Sequence, residues 1–324
     1  MKDYFDKILI IQTAFIGDVI LATSLIEKLH KFYPDSKIDF LLRKGNESLL
    51  SSHPKLNEVL IWNKQDGKYS NLKLLSKSIH AKKYDLVVNL QRFASSGVLT
   101  AFSGARITVG FKKNPLSFLF KRSVEHSIGN GLHEIERNQK LIEEFTDGLA
   151  EKPRLYPSNQ DYEVVQSYKK EKYICLAPSS VWFTKQLPKA KWINIIQKTN
   201  DQYLIYLLGS DSDKELCDLL IQTSRNKNVI NLAGKLSLLQ SAALIQNAEM
   251  NHVNDSAPLH ISSAMNAPVT AYFCSTKPEF GFGPLSDNSK IVQINFDLAC
   301  RPCGLHGKKE CPELHFKCGN DINI

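Results

Sequence analysis

No segment of this chain approaches the ~20 consecutive apolar residues that a bilayer-spanning helix needs, so passage through a membrane as a helix is not expected. The N-terminus places two acids, Asp3 and Asp6, before the first apolar run, and that run continues as an ordinary strand and helix; the pattern is not that of a signal peptide, and a cytoplasmic location is expected. The glycine-rich string G-x-G-x-x-G is absent, which leaves a dinucleotide fingerprint unsupported. So is G-x-x-x-x-G-K-[ST], which argues against a P-loop ATPase or kinase. Short repeats and low-complexity tracts are missing as well.

What is present is ordinary for a folded protein: 43% apolar and 23% charged residues. At 324 residues the chain is roughly twice as long as a typical domain, so two domains are expected. The net charge of +8 is unevenly placed. Residues 1–155 carry 24 Lys+Arg against 17 Asp+Glu, a net of +7, whereas residues 156–324 carry 17 against 16, a net of +1. Such asymmetry suits an acidic partner (nucleic acid, an anionic membrane face or a phosphorylated substrate), while for any single lysine a solvated surface is the commoner role. The excess is modest and no nucleic-acid-binding module is recognisable, so a nucleic-acid partner is not expected.

Apolar runs and helical spacings alternate along the chain. Residues 7–12, 37–42, 58–62, 84–90 and 108–111 read as strands, and 19–29 and 72–79 as helices. A polar stretch with Pro153 and Pro157, residues 148–168, reads as a linker. The rhythm restarts with strands at 173–177, 203–208, 229–232, 250–254 and 269–273 and helices at 191–199, 213–224, 237–247 and 258–266. This predicts an α/β protein of two Rossmann-like domains, 1–155 and 156–324, facing a central cleft, with ligands at the carboxyl ends of the strands.

Chemistry-bearing residues cluster at those strand ends. Asp18 follows the first strand and opens a helix, so it is either a helix cap or a general base. Ser179, Ser180 and Lys185 offer hydroxyls, free N–H groups and one cation beside a helix start, a set suited to a pyrophosphate or simply to a turn. Gly209-Ser210-Asp211-Ser212-Asp213 ends another strand, with an acid able to meet ribose hydroxyls or to cap the next helix. Asn254-Asp255-Ser256-Ala257-Pro258-Leu259-His260 again ends a strand and opens a helix, with Pro258 near the first helical position.

This ordered set, together with Gly234-Lys235-Leu236-Ser237-Leu238 and Pro268-Val269-Thr270-Ala271, resembles glycosyltransferase family 9, whose best-known members are ADP-heptose:lipopolysaccharide heptosyltransferases. The resemblance spans residues 7–318; His133-Glu134-Ile135-Glu136-Arg137-Asn138 adds a weaker match. It implies a GT-B fold and an inverting transfer of heptose from ADP-heptose to the lipopolysaccharide inner core, with no metal-binding D-x-D motif and no cofactor required for catalysis. It makes the domain 1–155 acceptor-binding and the domain 156–324 nucleotide-sugar-binding. Asp18 becomes the base, while Ser179, Ser180, Lys185, Asp213, Asp255, Ser256, Ala257 and His260 become donor contacts. The acceptor would be an anionic, lipid-linked oligosaccharide met at the inner face of the cytoplasmic membrane, with Arg43, Lys44, Arg92, Lys112 and Lys113 as its contacts. Related readings are a family member using another nucleotide sugar for surface polysaccharide, or a GT-B-type sugar-nucleotide epimerase. The chain departs from the family at Ala257, where glycine is frequent, and at Ser179-Ser180; both departures bear on the donor sugar.

Of seven cysteines, Cys175, Cys217 and Cys274 sit singly in apolar segments and read as core. Cys300-x2-Cys303-x7-Cys311-x6-Cys318 is different. Disulfides are disfavoured in a reducing cytoplasm, and the first pair has zinc spacing, so a structural zinc is one reading. Related chains carry a similar cysteine-rich segment late in the sequence, and a stapled loop is the other.

Overall fold

The computed structural model describes residues 4–65 and 67–324. The chain divides at Tyr156/Pro157 into two compact units, each built on its own sheet.

The first unit runs β1 (Lys7–Ile11), α1 (Ile16–Phe32), β2 (Lys37–Arg43), β3 (Glu58–Trp62), α2 (Lys68–Lys82), β4 (Leu86–Asn89), α3 (Ala94–Ala101), β5 (Ile107–Phe111), β6 (Arg122–Val124) and α4 (Glu134–Gln139). Its strands are all parallel, in the order β3-β2-β1-β4-β5-β6. Of the central strands, β4 is buried throughout and β1 from Ile8 on, which is why Ile8–Ile11 and Leu86–Val88 read as Ile, Leu and Val runs. Residues 19–29 of α1 are buried without a break, because the helix is covered on its outer side as well. There Lys28, 1% exposed, pairs with Asp147 at 2.6 Å, and Tyr156 donates its hydroxyl to Glu27 at 2.9 Å.

The second unit runs α5 (Asn159–Val165), β7 (Tyr173–Ala177), α6 (Lys189–Lys198), β8 (Leu204–Leu207), α7 (Lys214–Ser224), β9 (Val229–Asn231), α8 (Leu238–Gln246), β10 (Asn251–Asn254), α9 (Ala257–Ala264), β11 (Val269–Tyr272), β12 (Ser289–Val292) and α10 (Lys317–Asn320). Its order, β12-β11-β10-β7-β8-β9, repeats that of the first sheet, again all parallel. In each unit the chain starts in mid-sheet, winds outward, then returns to the other side of its first strand. This creates a switch point between β1 and β4 and another between β7 and β10, the places where open α/β sheets bind ligands. Two Rossmann-like units, the fold expected from the sequence, are therefore present.

The 148–168 segment is not a bare linker. Ser158 and Asp161 cap one another, Asp161 N–H to Ser158 Oγ at 3.2 Å and Ser158 N–H to Asp161 Oδ2 at 2.8 Å, and so start α5, which packs against α8. Helix α2 extends well beyond the expected 72–79, and α3, α4, β6 and β12 had no clear sequence signal. The C-terminal segment folds back onto the second unit: Cys311, Phe316, Cys318 and Ile322 join a core with Ile174, Leu176, Trp192 and Leu207.

Candidate active site

In the second unit, the loops after β7 and β10 meet at the switch point. Asn254, fully buried, stitches them together: its amide donates to Pro178 O (2.9 Å) and Ser179 O (3.3 Å), and its oxygen accepts from Leu187 N–H (2.9 Å). These bonds fix the turn that carries Ser179, Ser180 and Lys185. Ser179 and Ser180 remain half-exposed, and Ser180 O accepts from Gln186 Nε2 (2.6 Å).

Lys185 Nζ reaches Asp255 Oδ2 at 2.7 Å, and Thr276 Oγ1 donates to the same oxygen at 2.6 Å. Asp255 is buried, so a cation and a hydroxyl beside it offset the cost of burying its charge. Ser256 is the N-cap of α9, and its hydroxyl makes no capping bond to the helix. It therefore lies with the first N–H groups of that helix, and with Ala257 and Pro258, at a helix N-terminus of the kind that binds phosphate. His260 lies one turn further on, buried.

Several residues support this turn without a signal in the sequence. Thr184 N–H donates to Lys308 O (3.1 Å), while Thr184 Oγ1 accepts from Lys308 N–H (2.8 Å) and from Ser275 Oγ (2.9 Å). Gly307, at φ +79°, packs on Lys185: a Cβ there would fall 2.9 Å from Lys185 Cγ and 3.1 Å from Trp182 Cβ. This support comes from residues far along the chain, Ser275 at 91 and Lys308 at 124 positions from Thr184.

Asp213 caps its own turn. Its Oδ2 accepts from Ser210 N–H (2.7 Å) and Ser210 Oγ (2.6 Å). Asp211-Ser212-Asp213 has the D-x-D spelling, but Asp211 pairs with Lys214 at 2.5 Å, so the two carboxylates serve different partners.

A zinc site at the four late cysteines is not shown, although they lie near one another: beyond burial, Cys303, Cys311 and Cys300 all help to raise the Cys318 thiol. Cys311 and Cys318 are buried in the apolar core, where burial pushes the Cys318 thiol up to about 12, whereas Cys300 and Cys303 are partly exposed. Cys303 Sγ donates to Cys300 O (3.3 Å), and Cys300 Sγ lies 3.8 Å from His315 Nε2. Among the described residues no three His, Cys, Asp or Glu side chains converge as metal ligands, and all seven cysteines are free thiols. Sequence spacing suggested a knuckle. The apolar packing of residues 311–322 sets where Cys311 and Cys318 sit.

In the first unit, the loops at the carboxyl ends of the strands carry the expected acceptor residues. Asp18 sits three residues past the N-cap of α1, half-exposed, and accepts the N–H of Phe15 at 3.2 Å. Arg43 ends β2 with its guanidinium 4.8 Å from the Phe15 ring, and Lys44 N–H donates to Trp62 O. Arg92 follows β4 and lies over Phe93; Lys112 and Lys113 follow β5, with Lys112 paired to Glu125 at 3.0 Å. The sequence reading missed Lys64. Its ammonium donates to Thr13 O (3.0 Å) and Thr13 Oγ1 (3.1 Å) in the loop before Asp18 and lies 4.5 Å from the Trp62 ring centroid. Burial, with Arg43 and Lys68 nearby, pulls Lys64 down to about 8. A lysine held beside other cations, partly out of water, is stabilised by an anion.

The model of glycosyltransferase family 9 (heptosyltransferase) matches residues 73–315. A lipopolysaccharide heptosyltransferase 3 of Escherichia coli is 30% identical over 289 residues, covering 85% of each chain. The solved glycosyl transferase family 9 protein of Veillonella parvula superposes with a TM-score of 0.81 at 21% identity, over 90% of this chain and 86% of that one. The E. coli ADP-heptose lps heptosyltransferase II superposes with a TM-score of 0.77 at 22% identity, over 97% and 98%.

Proposed function

This chain belongs to glycosyltransferase family 9, and from that premise we propose that it transfers a heptose from ADP-heptose to the inner core of lipopolysaccharide, with inversion and without a catalytic metal. The observation that carries the reading is Lys185 against Asp255 at the β7/β10 switch point, beside the N-terminus of α9. A diphosphate held there meets one lysine, the serine hydroxyls and unpaired helix N–H groups, which stabilise the negative charge it gains on leaving. Asp255, Ser256 and Ala257 meet the sugar and its phosphate, His260 supports them, and Asp213, at the end of β8, is the ribose contact. Asp18 takes the proton of the acceptor hydroxyl as its oxygen attacks the anomeric carbon. The C–O bond to the diphosphate breaks with its electron pair, and ADP leaves. Arg43, Lys44, Lys64, Arg92, Lys112 and Lys113 give the acceptor side its positive charge, matched to an anionic, lipid-linked oligosaccharide presented at the inner membrane face. The protein works in the cytoplasm in this reading.

Purified protein offered ADP-, GDP-, UDP- and dTDP-sugars with a core-oligosaccharide acceptor tests this. Acceptor-dependent release of ADP from ADP-heptose alone is expected. Turnover of another nucleotide sugar would assign the protein to surface polysaccharide synthesis instead, and acceptor-independent conversion of a nucleotide sugar to its epimer, with no net release of diphosphate, would make it an epimerase.

A further inference from the structure

Helix α3 (Ala94–Ala101) contains no charged residue, yet one side of it meets water. Ala94, Ser95, Val98 and Ala101 are exposed or half-exposed, at the spacing of a single helical stripe, and an exposed stripe is ordinarily polar. Two phenyl rings bracket it, Phe93 at 54% and Phe102 at 59% exposure. The turn at 112–119 packs against the same helix. Asn114 donates to the carbonyls of Gln91 (2.9 Å) and Phe93 (3.0 Å), and a Cβ on Gly97 would lie 3.0 Å from Leu116 Cβ. That turn brings out Phe118, 77% exposed, and Leu119, 47% exposed.

Charge within this stretch of chain has one sign. Residues 86–124 hold Arg92, Arg106, Lys112, Lys113, Lys121 and Arg122 and not one Asp or Glu. Arg106, Arg122 and Lys112 are engaged with Asp85, Glu144 and Glu125, outside the run. Arg92, Lys113 and Lys121 are exposed.

We propose that α3 and the 117–119 turn seat on an anionic phospholipid bilayer. The phenyl rings and Leu119 enter the headgroup boundary, while Arg92, Lys113 and Lys121 meet lipid phosphates. Charge complementarity selects this occupant: a second copy of the chain would bring the same cations to the face and be repelled. The transferase reading enters at two points: a lipid-borne acceptor makes such seating useful, and Arg92 and Lys113, also on the acceptor side, would serve the lipid phosphates beside it.

The test is co-sedimentation of the full chain with vesicles of phosphatidylcholine alone or mixed with phosphatidylglycerol. Binding to the mixed vesicles only is expected. It should weaken with salt and fall by about tenfold or more in the Phe118→Ser/Leu119→Ser double variant, since both side chains are exposed and the fold does not need them. The double variant should keep wild-type transfer to a soluble, deacylated acceptor and lose transfer to acceptor embedded in vesicles. Equal binding by wild type and variant, binding to neutral vesicles as strongly as to anionic ones, or concentration-dependent dimerisation that the double variant abolishes would each overturn the proposal. So would salt-sensitive capture by nucleic acid without vesicle binding. A wild-type protein that binds anionic vesicles but transfers no sugar would remove the enzymatic reading and leave the lipid surface standing.

Discussion

Lys185 and Asp255 neutralise one another across 2.7 Å, although 70 residues separate them, and both belong to the proposed donor-diphosphate site. An incoming diphosphate must therefore share the lysine with a buried carboxylate that Thr276 also holds. Replacing Lys185 with methionine removes a charge-assisted contact worth about 1.5–3 kcal/mol, so ADP affinity should fall roughly 10- to 100-fold by calorimetry. Asp255→Asn keeps an acceptor for Thr276 and releases the lysine. It should hold ADP at least as tightly as wild type while losing any preference for ADP-heptose over ADP. Unchanged ADP affinity in the methionine variant would take Lys185 out of the phosphate site.

Asp18 has two jobs in this reading, accepting the Phe15 N–H and accepting a proton from the acceptor. Asparagine can do the first and not the second. Asp18→Asn should melt close to wild type and bind donor normally, with transfer slowed by about 10²- to 10⁴-fold. Near-normal turnover would mean that the residue is only a cap.

Gly307 packs on the stem of Lys185 from the chain's far end. A valine there must push Lys185 or Trp182 aside, and its backbone sits in the left-handed region that favours glycine. The donor KM should rise several-fold with kcat little changed. Gly304→Val is the control. Its φ is also positive, +105°, but nothing lies within 4 Å of a Cβ there, so it reports backbone strain alone. Equal effects of the two variants on donor KM would remove the steric role given to Gly307.

Lys64 titrates near pH 8, below an ordinary lysine, through burial and the cations beside it. As pH rises through about 8 it loses its charge, so the acceptor KM should increase across that range while the donor KM does not. Lys64→Met should have the high acceptor KM at every pH, and Lys64→Arg should keep the low one, because a guanidinium stays charged. A flat acceptor KM from pH 7 to 9 in the wild type would exclude Lys64 from the acceptor site. The fold itself gains from the same titration. The folded lysine releases its proton at lower pH than the unfolded one, so the stability lost by burying its charge is recovered as pH rises above about 8.

Much of the architecture was readable in one dimension because parallel strands buried on both faces must be runs of branched apolar residues, and the turns at their ends must be small and polar. Ile8-Leu9-Ile10-Ile11 and Tyr173-Ile174-Cys175-Leu176-Ala177 announce themselves in this way. Helix α3 did not, because Ala, Ser, Gly and Thr without charges show no period, and β6, an edge strand of Arg, Ser and Val, looks like a loop. Nor does spacing alone assign the four late cysteines. Cysteine spacing measures distance along the chain, and the burial of Cys311 and Cys318 depends on Ile174, Leu176 and Trp192, which that spacing does not contain.

By itself, then, the sequence determined the alternation of strands and helices and the strand-end positions of Asp18, Ser179, Ser180, Asp255 and Ser256, because those follow from local propensities and from chain direction in a parallel sheet. Tertiary structure decided the partners. Lys185 meets Asp255 because β7 and β10 are neighbours across a switch point. Thr184 is tied to Lys308 because the C-terminal segment packs back on the second unit. Lys64 meets the loop before Asp18 because β3 and β1 flank β2. Each of these pairs joins residues far apart in the chain, and only burying the shared apolar core brings them within hydrogen-bonding distance.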